Sequence, residues 1–488
     1  MAFDAILMLH FFAECDNILK YGNNLSVINL FFGLCLMDKF LKSAYFKALL
    51  VVSAIAVVML GKEVAGFVLF LNIIGFVLIA CKETAVSFLP FMLACTFVVK
   101  CYDSFSLFAP LWWAYIFPLC AVAFHFIYYR KEHRFAIGQS FYGIIAVAAA
   151  VTLGGIGKIS AAEYFSPMAL YYVFGLGIGM AGIYLLLKSS FLEYDGYSSR
   201  KNFIYDMYIV GLFACFMVLH HYATNLSTTL LEHKFADIQW SNNISTVLML
   251  AMPVPLFFTK KHFVHIFSSI LIYACTVLSD SRAGLLFGTV EILICLVAFI
   301  GFGRSRVRMI IRTGFVICAV VAAYFVLAEV WELLYNENFI RDNEARVKLI
   351  YRAIDDFRGS PIFGIGLGNR ANTDIYASSV MGTICWYHMM IPQIFGSMGL
   401  VGVLGYGYQL VTRFILVLKK RSDEAVTLGL SYLGLFLMSQ VNPGEFCPMP
   451  YALVATLIFV LVESCENARK KPTEEESLHF YIYFRFFS

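Results

Sequence analysis

A histidine and three basic residues carry the chemistry open to this chain. His388 stands at the start of one long apolar segment, and Arg282 opens another from within Ser279-Asp280-Ser281-Arg282. Lys234 precedes Trp240-Ser241-Asn242-Asn243, and Arg346 lies in the polar stretch 331–388. Guanidinium groups hold phosphate oxygens two at a time, so these positives suit an anionic lipid headgroup, a diphosphate above all. An imidazole beside them titrates near neutrality and can take the proton of an attacking hydroxyl. Alone, a histidine at a membrane boundary is an ordinary amphipathic residue, and Asp280 can simply pair with Arg282. The functional reading depends on the four meeting in one place.

Composition tells which elements must bring them there. The chain has 488 residues, 60% apolar and 14% charged, where a soluble domain carries about a quarter of its residues charged. A soluble domain could not hide that much apolar surface. A soluble globular protein, a disordered chain and a secreted disulfide scaffold are therefore excluded. The net charge of +4 is too small to point to nucleic acid. The 13 Cys are scattered singly without a CxxC, as small apolar packing residues.

A bilayer span needs about 20 apolar residues. Apolar segments near 24–38, 44–60, 64–81, 85–99, 110–128, 135–153, 168–187, 203–223, 242–258, 263–279, 283–302, 309–330, 390–418, 424–440 and 450–466 predict an all-α polytopic bundle of about 12–15 spans. Residues 1–23 carry Asp4, His10, Glu14 and Asp16, which spoil a cleavable signal and predict an interfacial segment. Most of the Lys and Arg fall in alternate connections, among them Lys131, Arg134, Arg304, Arg306, Arg413, Lys419 and Lys420. The positive-inside rule makes that set cytoplasmic. The stretch 331–388 is then outside, together with the four candidate residues. The expected organisation is an N-terminal bundle over 1–230, a core over 231–466 and a cytoplasmic tail over 467–488.

Within the outer stretch, 343–358 reads as an amphipathic helix with Asn343 as its N-cap. Val347, Ile350, Tyr351, Ile354 and Phe357 form its apolar face, laid down on the membrane surface. Arg346, Lys348, Arg352, Asp355 and Asp356 cover the rest. Gly359-Ser360-Pro361 stops the helix. Gly364, Gly366 and Gly368 then form a bend that lets the backbone pass close to a ligand or a helix. No strand precedes them, so they are not a dinucleotide-binding loop. Asp355 and Asp356 do not face each other on a helix, and no metal or other cofactor is assigned.

Four pieces of this sequence together resemble the O-antigen ligase and O-antigen polymerase superfamily of bacterial envelopes. They are Trp240-Ser241-Asn242-Asn243 opening a span that reaches Pro253, Ser279-Asp280-Ser281-Arg282, the outer-loop series Arg346, Tyr351, Ala353, Phe357, Pro361, Gly364, Gly366 and Gly368, and His388 followed by Gly396 to Gly405. Each piece is degenerate alone; their order from 234 to 405 is the specific feature. This chain departs by Met389 after the histidine where the family has Asn, by Tyr351 where it has Trp, and by Lys234 where it has Arg.

The resemblance implies a GT-C-like helical scaffold and a metal-independent glycosyl transfer at the outer face of the bacterial cytoplasmic membrane. The implied donor is a glycan on undecaprenyl diphosphate, and the acceptor is another glycan, a lipid, a protein or a wall polymer. His388 would orient or deprotonate the acceptor hydroxyl. Arg282, with Lys234 and Arg346, would hold the leaving diphosphate, with Asp280, Trp240, Asn243, Tyr351 and the three loop glycines in support. Other polysaccharide-assembly proteins are expected partners; nucleic acid is not. A polymerase is favoured over a ligase. A lipid-linked oligosaccharide flippase is the alternative of another class. It calls for internal repeats and for charged residues along a mid-membrane path, and the sequence suggests neither.

Overall fold

A computed structural model describes residues 37–100, 107–130, 135–156, 167–191, 196–226, 238, 240–259, 262–301, 310, 313, 314, 317, 321, 324, 337–367, 387–420, 422–446 and 450–465. The interfacial segment 1–23, the tail 467–488 and most of the expected spans 24–38 and 309–330 lie outside the described residues.

No strand occurs among the described residues, and the chain is an all-α polytopic bundle. In a bilayer every backbone polar group must be satisfied within the segment, which leaves helices as the solution for an apolar chain. In chain order they are α1 (Ala44–Met59), α2 (Glu63–Ala80), α3 (Phe88–Lys100), α4 (Ile116–Tyr128), α5 (Gln139–Leu153), α6 (Pro167–Tyr172), α7 (Met180–Phe191), α8 (Gly196–Thr224), α9 (Ser241–Ala251), α10 (Val254–Phe258), α11 (His265–Leu278), α12 (Arg282–Gly301), α13 (Glu337–Gly359), α14 (Met390–Lys420), α15 (Asp423–Met438) and α16 (Pro450–Ser464). Among the described residues, seven helical stretches are long and apolar enough to cross a membrane, and five shorter apolar helices accompany them. Among the described residues the main hydrophobic core runs from Leu41 to Cys465, with two small satellite clusters, around Phe299 and around Tyr387.

Local chemistry sets several ends. The Ser422 hydroxyl accepts the Ala425 N–H at 3.2 Å, and Asp423 and Glu424 occupy the positive end of α15. Lys419 and Lys420 occupy the negative end of α14. At this end of the bundle Lys188 pairs with Glu463 at 2.8 Å, Arg200 lies 3.6 Å from Glu424, and Lys420 donates to the Cys465 carbonyl at 2.6 Å.

The longest helix, α14, is broken. Its 31 residues would run about 46 Å if straight, well beyond the ~30 Å hydrocarbon core. At Gly399 the backbone turns to φ 61°, ψ −150°, a conformation for which glycine is suited. The stretch below the break, Leu400–Lys420, is long enough by itself to cross the core. A break strips partners from nearby backbone groups, and the bend after α13 supplies them. Leu400 and Val401 donate N–H to the Pro361 and Ile362 carbonyls at 2.8 and 3.0 Å. Ile365 and Gly366 donate to the Gly396 and Ser397 carbonyls at 3.2 and 2.8 Å.

Gly364 and Gly366 thus bring backbone against a helix. A Cβ on Gly399 would come 2.6 Å from the Gly364 nitrogen, and Gly399 itself has positive φ. We expect Gly399→Ala to destabilise the protein by about 2 kcal/mol or more, from strain and overpacking together. Its thermal unfolding in detergent, compared with Gly407→Ala at an open site, measures this.

Three sequence expectations need correction. Helix α13 begins at Glu337, so Asn343 lies inside it and is not its cap. Arg413, grouped by sequence with the inner connections because Lys419 and Lys420 follow it, is buried within α14. It donates to Glu445 at 2.7 Å and to the Tyr432 hydroxyl at 2.6 Å, and it lies over the Tyr432 and Phe459 rings at 4.8 and 4.9 Å. Ionisable groups are therefore not confined to the surfaces. Glu291 in α12 is also fully buried, and neither of its carboxylate oxygens has a hydrogen-bond partner among the described residues. Hydropathy cannot anticipate a cation whose counter-charge arrives from 32 residues away.

Candidate active site

The corner between α11 and α12 holds Arg282. The Ser281 hydroxyl accepts the Gly284 N–H at 2.9 Å and so caps α12. The same hydroxyl donates to Asn242 Oδ1 at 2.6 Å, tying the corner to α9. Ser279 and Ser245 share a hydroxyl contact of 2.6 Å one step below. Asp280 sits in the left-handed region at φ 60°, which aspartate tolerates better than most residues. Arg282 is the first residue of α12, and both it and Asp280 are exposed. A guanidinium at a helix N-terminus gathers positive charge twice, from the side chain and from the helix dipole, and an anion satisfies both.

Trp240 and Asn243 act as scaffold. Trp240 is buried, its ring 6.2 Å from the His221 ring. The Asn243 carbonyl accepts the Tyr451 hydroxyl at 2.8 Å, and its side-chain oxygen accepts from Asn442 at 3.4 Å. Tyr222 donates to the Leu278 carbonyl at 2.8 Å, which fixes the end of α8 beside the corner.

His388 comes from the segment that opens α14. It too has positive φ, 54°. Arg346 of α13 bears on it electrostatically. Burial, reinforced by that positive charge, pushes the imidazole down to about 4. At neutral pH the ring is uncharged and can accept a proton. Next to it, the Tyr387 hydroxyl donates to Asp356 Oδ2 at 2.7 Å, and the Tyr387 N–H donates to Gln393 Oε1 at 3.2 Å.

The loop after α15 joins the two halves. The Ser439 carbonyl accepts the Met390 N–H at 2.8 Å, two residues from His388. Asn442, three residues further on, reaches Asn243, whose neighbour Asn242 holds Ser281. Gly444 turns this loop with φ 60°, and Glu445 anchors it on Arg413 and Tyr432 from below. Arg282, His388, Arg346, Trp240 and Asn243 therefore share one end of the bundle, opposite the Lys188–Glu463 end.

Other expected residues fare differently. Lys234 and Gly368 lie outside the described residues. Tyr351 is 64% exposed and Val347 46%, so that stripe of α13 faces outward, while Leu349, Ala353 and Asp356 are turned in against α14. Phe357 splits the difference, its ring 5.9 Å from Phe395. Tyr387, Gln393, His221 and Asn442 were not singled out by sequence, and Asp356 was weighed there only as half of the Asp355–Asp356 pair.

Residues 267–407, which include Arg282, α13, the glycine bend and His388, match the family model of the O-antigen ligases. No curated protein matches the chain.

Proposed function

We propose that this chain, whose residues 267–407 match the O-antigen ligase family model, polymerises a cell-surface polysaccharide from undecaprenyl-diphosphate-linked repeat units. An acceptor sugar hydroxyl attacks the anomeric carbon of the donor glycan. The new glycosidic C–O bond forms as the C–O bond to the diphosphate breaks. His388 takes the hydroxyl proton, and the undecaprenyl diphosphate leaves with the electron pair. Arg282 and Arg346, with Lys234, meet the negative charge as it develops, the point at which preorganised positives lower a barrier. Charge neutralisation falls to these side chains, and no metal is assigned.

The observation that supports this reading is that an exposed Arg282 and a half-buried, neutral His388 lie at the same end of the bundle, inside the segment that matches the family. The positive-inside rule turns that end outward, since Lys188, Arg200, Lys419 and Lys420 mark the other. A transporter reading is weaker. The buried Arg413 is neutralised by Glu445 at 2.7 Å and lies against the Tyr432 and Phe459 rings, as a structural ion pair does.

Lipid-linked intermediates in a strain lacking the protein provide the test. Single repeat units on the lipid are expected. Long lipid-linked chains mean that the protein is a ligase handling finished polymer. Unchanged intermediates with normal surface glycan mean that it does neither.

A further inference from the structure

His388 is held in a strained position by its neighbour. A non-glycine residue at φ 54° costs energy, and it persists only where surrounding contacts over-determine it. Those contacts converge on Tyr387. It is fully buried, and two helices grip it at three points. Its N–H goes to the Gln393 side chain in the first turn of α14. Its ring lies over Gly396, where a Cβ would come 2.8 Å from the ring carbons. Its hydroxyl goes to Asp356 of α13 at 2.7 Å. Asp356 is itself 4% exposed. An apolar pair fills such a site at lower desolvation cost, so packing alone gives little reason for a buried acid. Helix α13 presents two groups to this short segment, Asp356 to Tyr387 and Arg346 to His388.

We infer that Tyr387 and Asp356 are positioning residues: their phenol–carboxylate contact ties α13 to the peptide that carries His388 and holds the imidazole in place. The inference rests on the reading of His388 as the proton acceptor. Neither residue is placed against substrate. Both act through the imidazole. Loss of the contact frees the strained peptide to relax, and the ring swings toward water.

The test pairs two measurements on purified full-length protein. Diethylpyrocarbonate labelling of His388, followed by peptide mass spectrometry at neutral pH, reports ring exposure without reference to activity, with the His265 peptide as internal control. In Tyr387→Phe we expect labelling of His388 to quicken about tenfold, the scale of one hydrogen bond to a charged group, with His265 unchanged. We also expect kcat to fall by a similar factor at constant donor KM. Asp356→Asn keeps an acceptor oxygen and should fall between wild type and Asp356→Ala. Adding Tyr387→Phe to Asp356→Ala should change little, as for two members of one contact. If His388 labelling in Tyr387→Phe equals wild type, the inference is overturned. If labelling quickens while His388→Ala remains fully active, the contact stands and the role of His388 falls.

Discussion

His388→Ala is expected to lose about 10²–10⁴-fold in glycan transfer, the range for removal of a general base, while reaching the membrane in normal amount. The free protein holds the imidazole at about 4, by burial first and by Arg346 second. The base form is then present at all pH values above that, and kcat/KM should keep a flat profile down to about 4 and fall below it. A proton acceptor so low is weak. The donor corrects this, because a diphosphate beside the ring favours the charged imidazolium and raises its pKa. The acid limb of kcat, which reports the occupied site, should therefore lie above that of kcat/KM. Transfer assayed across pH with a lipid-linked donor reads both limbs. Wild-type polymer from His388→Ala would end the proposed role for this residue.

Much of the bundle was legible because the bilayer simplifies the question. Where every backbone group must be paired, apolar length nearly decides the helix. The segments read as 283–302, 424–440 and 450–466 correspond to α12, α15 and α16 within a few residues. What stayed hidden is what hydropathy does not encode. The break at Gly399 falls in a run that is uniformly apolar, and only its glycines hint at it. The loop that repairs the break comes from 361–366, with a long segment of chain between. The outer helix shows the same blindness on a smaller scale. Its periodic apolar residues marked a stripe, but Val347 and Tyr351 of that stripe are left exposed, as suits a face toward lipid. The side turned toward α14 and the segment before it mixes Leu349, Ala353 and Asp356, with the Phe357 ring 5.9 Å from Phe395, a mixture that apolar periodicity alone does not pick out.

The candidate site was legible at its charged tips and opaque in its supports. Arg282 and His388 stand out because ionisable residues at the edges of apolar runs are costly and few. Asn242, Asn442 and Ser439 do not stand out. Polar residues near span ends are ordinary, and their value comes from contacts that join residues 281 to 242, 243 to 442 and 439 to 390. Asp356 was weighed by sequence only as half of an acidic pair. Its partner is Tyr387, a contact that spacing along the chain cannot reveal.

Arg282→Ala is expected to lower kcat by about 10²–10³-fold, as removal of a preorganised charge stabiliser does, with no loss of stability. The two halves of that expectation come from the same geometry. Arg282 is exposed at the first position of α12, where a positive charge opposes the helix dipole. Ser281, rather than Arg282, caps the helix. For the fold alone, alanine at this position is neutral or slightly favourable, since exposed substitutions usually stay within about 0.5 kcal/mol. An anionic headgroup bound here would meet both the guanidinium and the positive end of the helix. Arg282→Lys keeps the charge but loses the two-pronged geometry, so it should retain part of the activity and bind the donor less tightly. Thermal unfolding and transfer measured on the same detergent preparations separate the two effects. If Arg282→Ala unfolds early and loses activity in proportion, the residue is structural and the diphosphate must be held elsewhere.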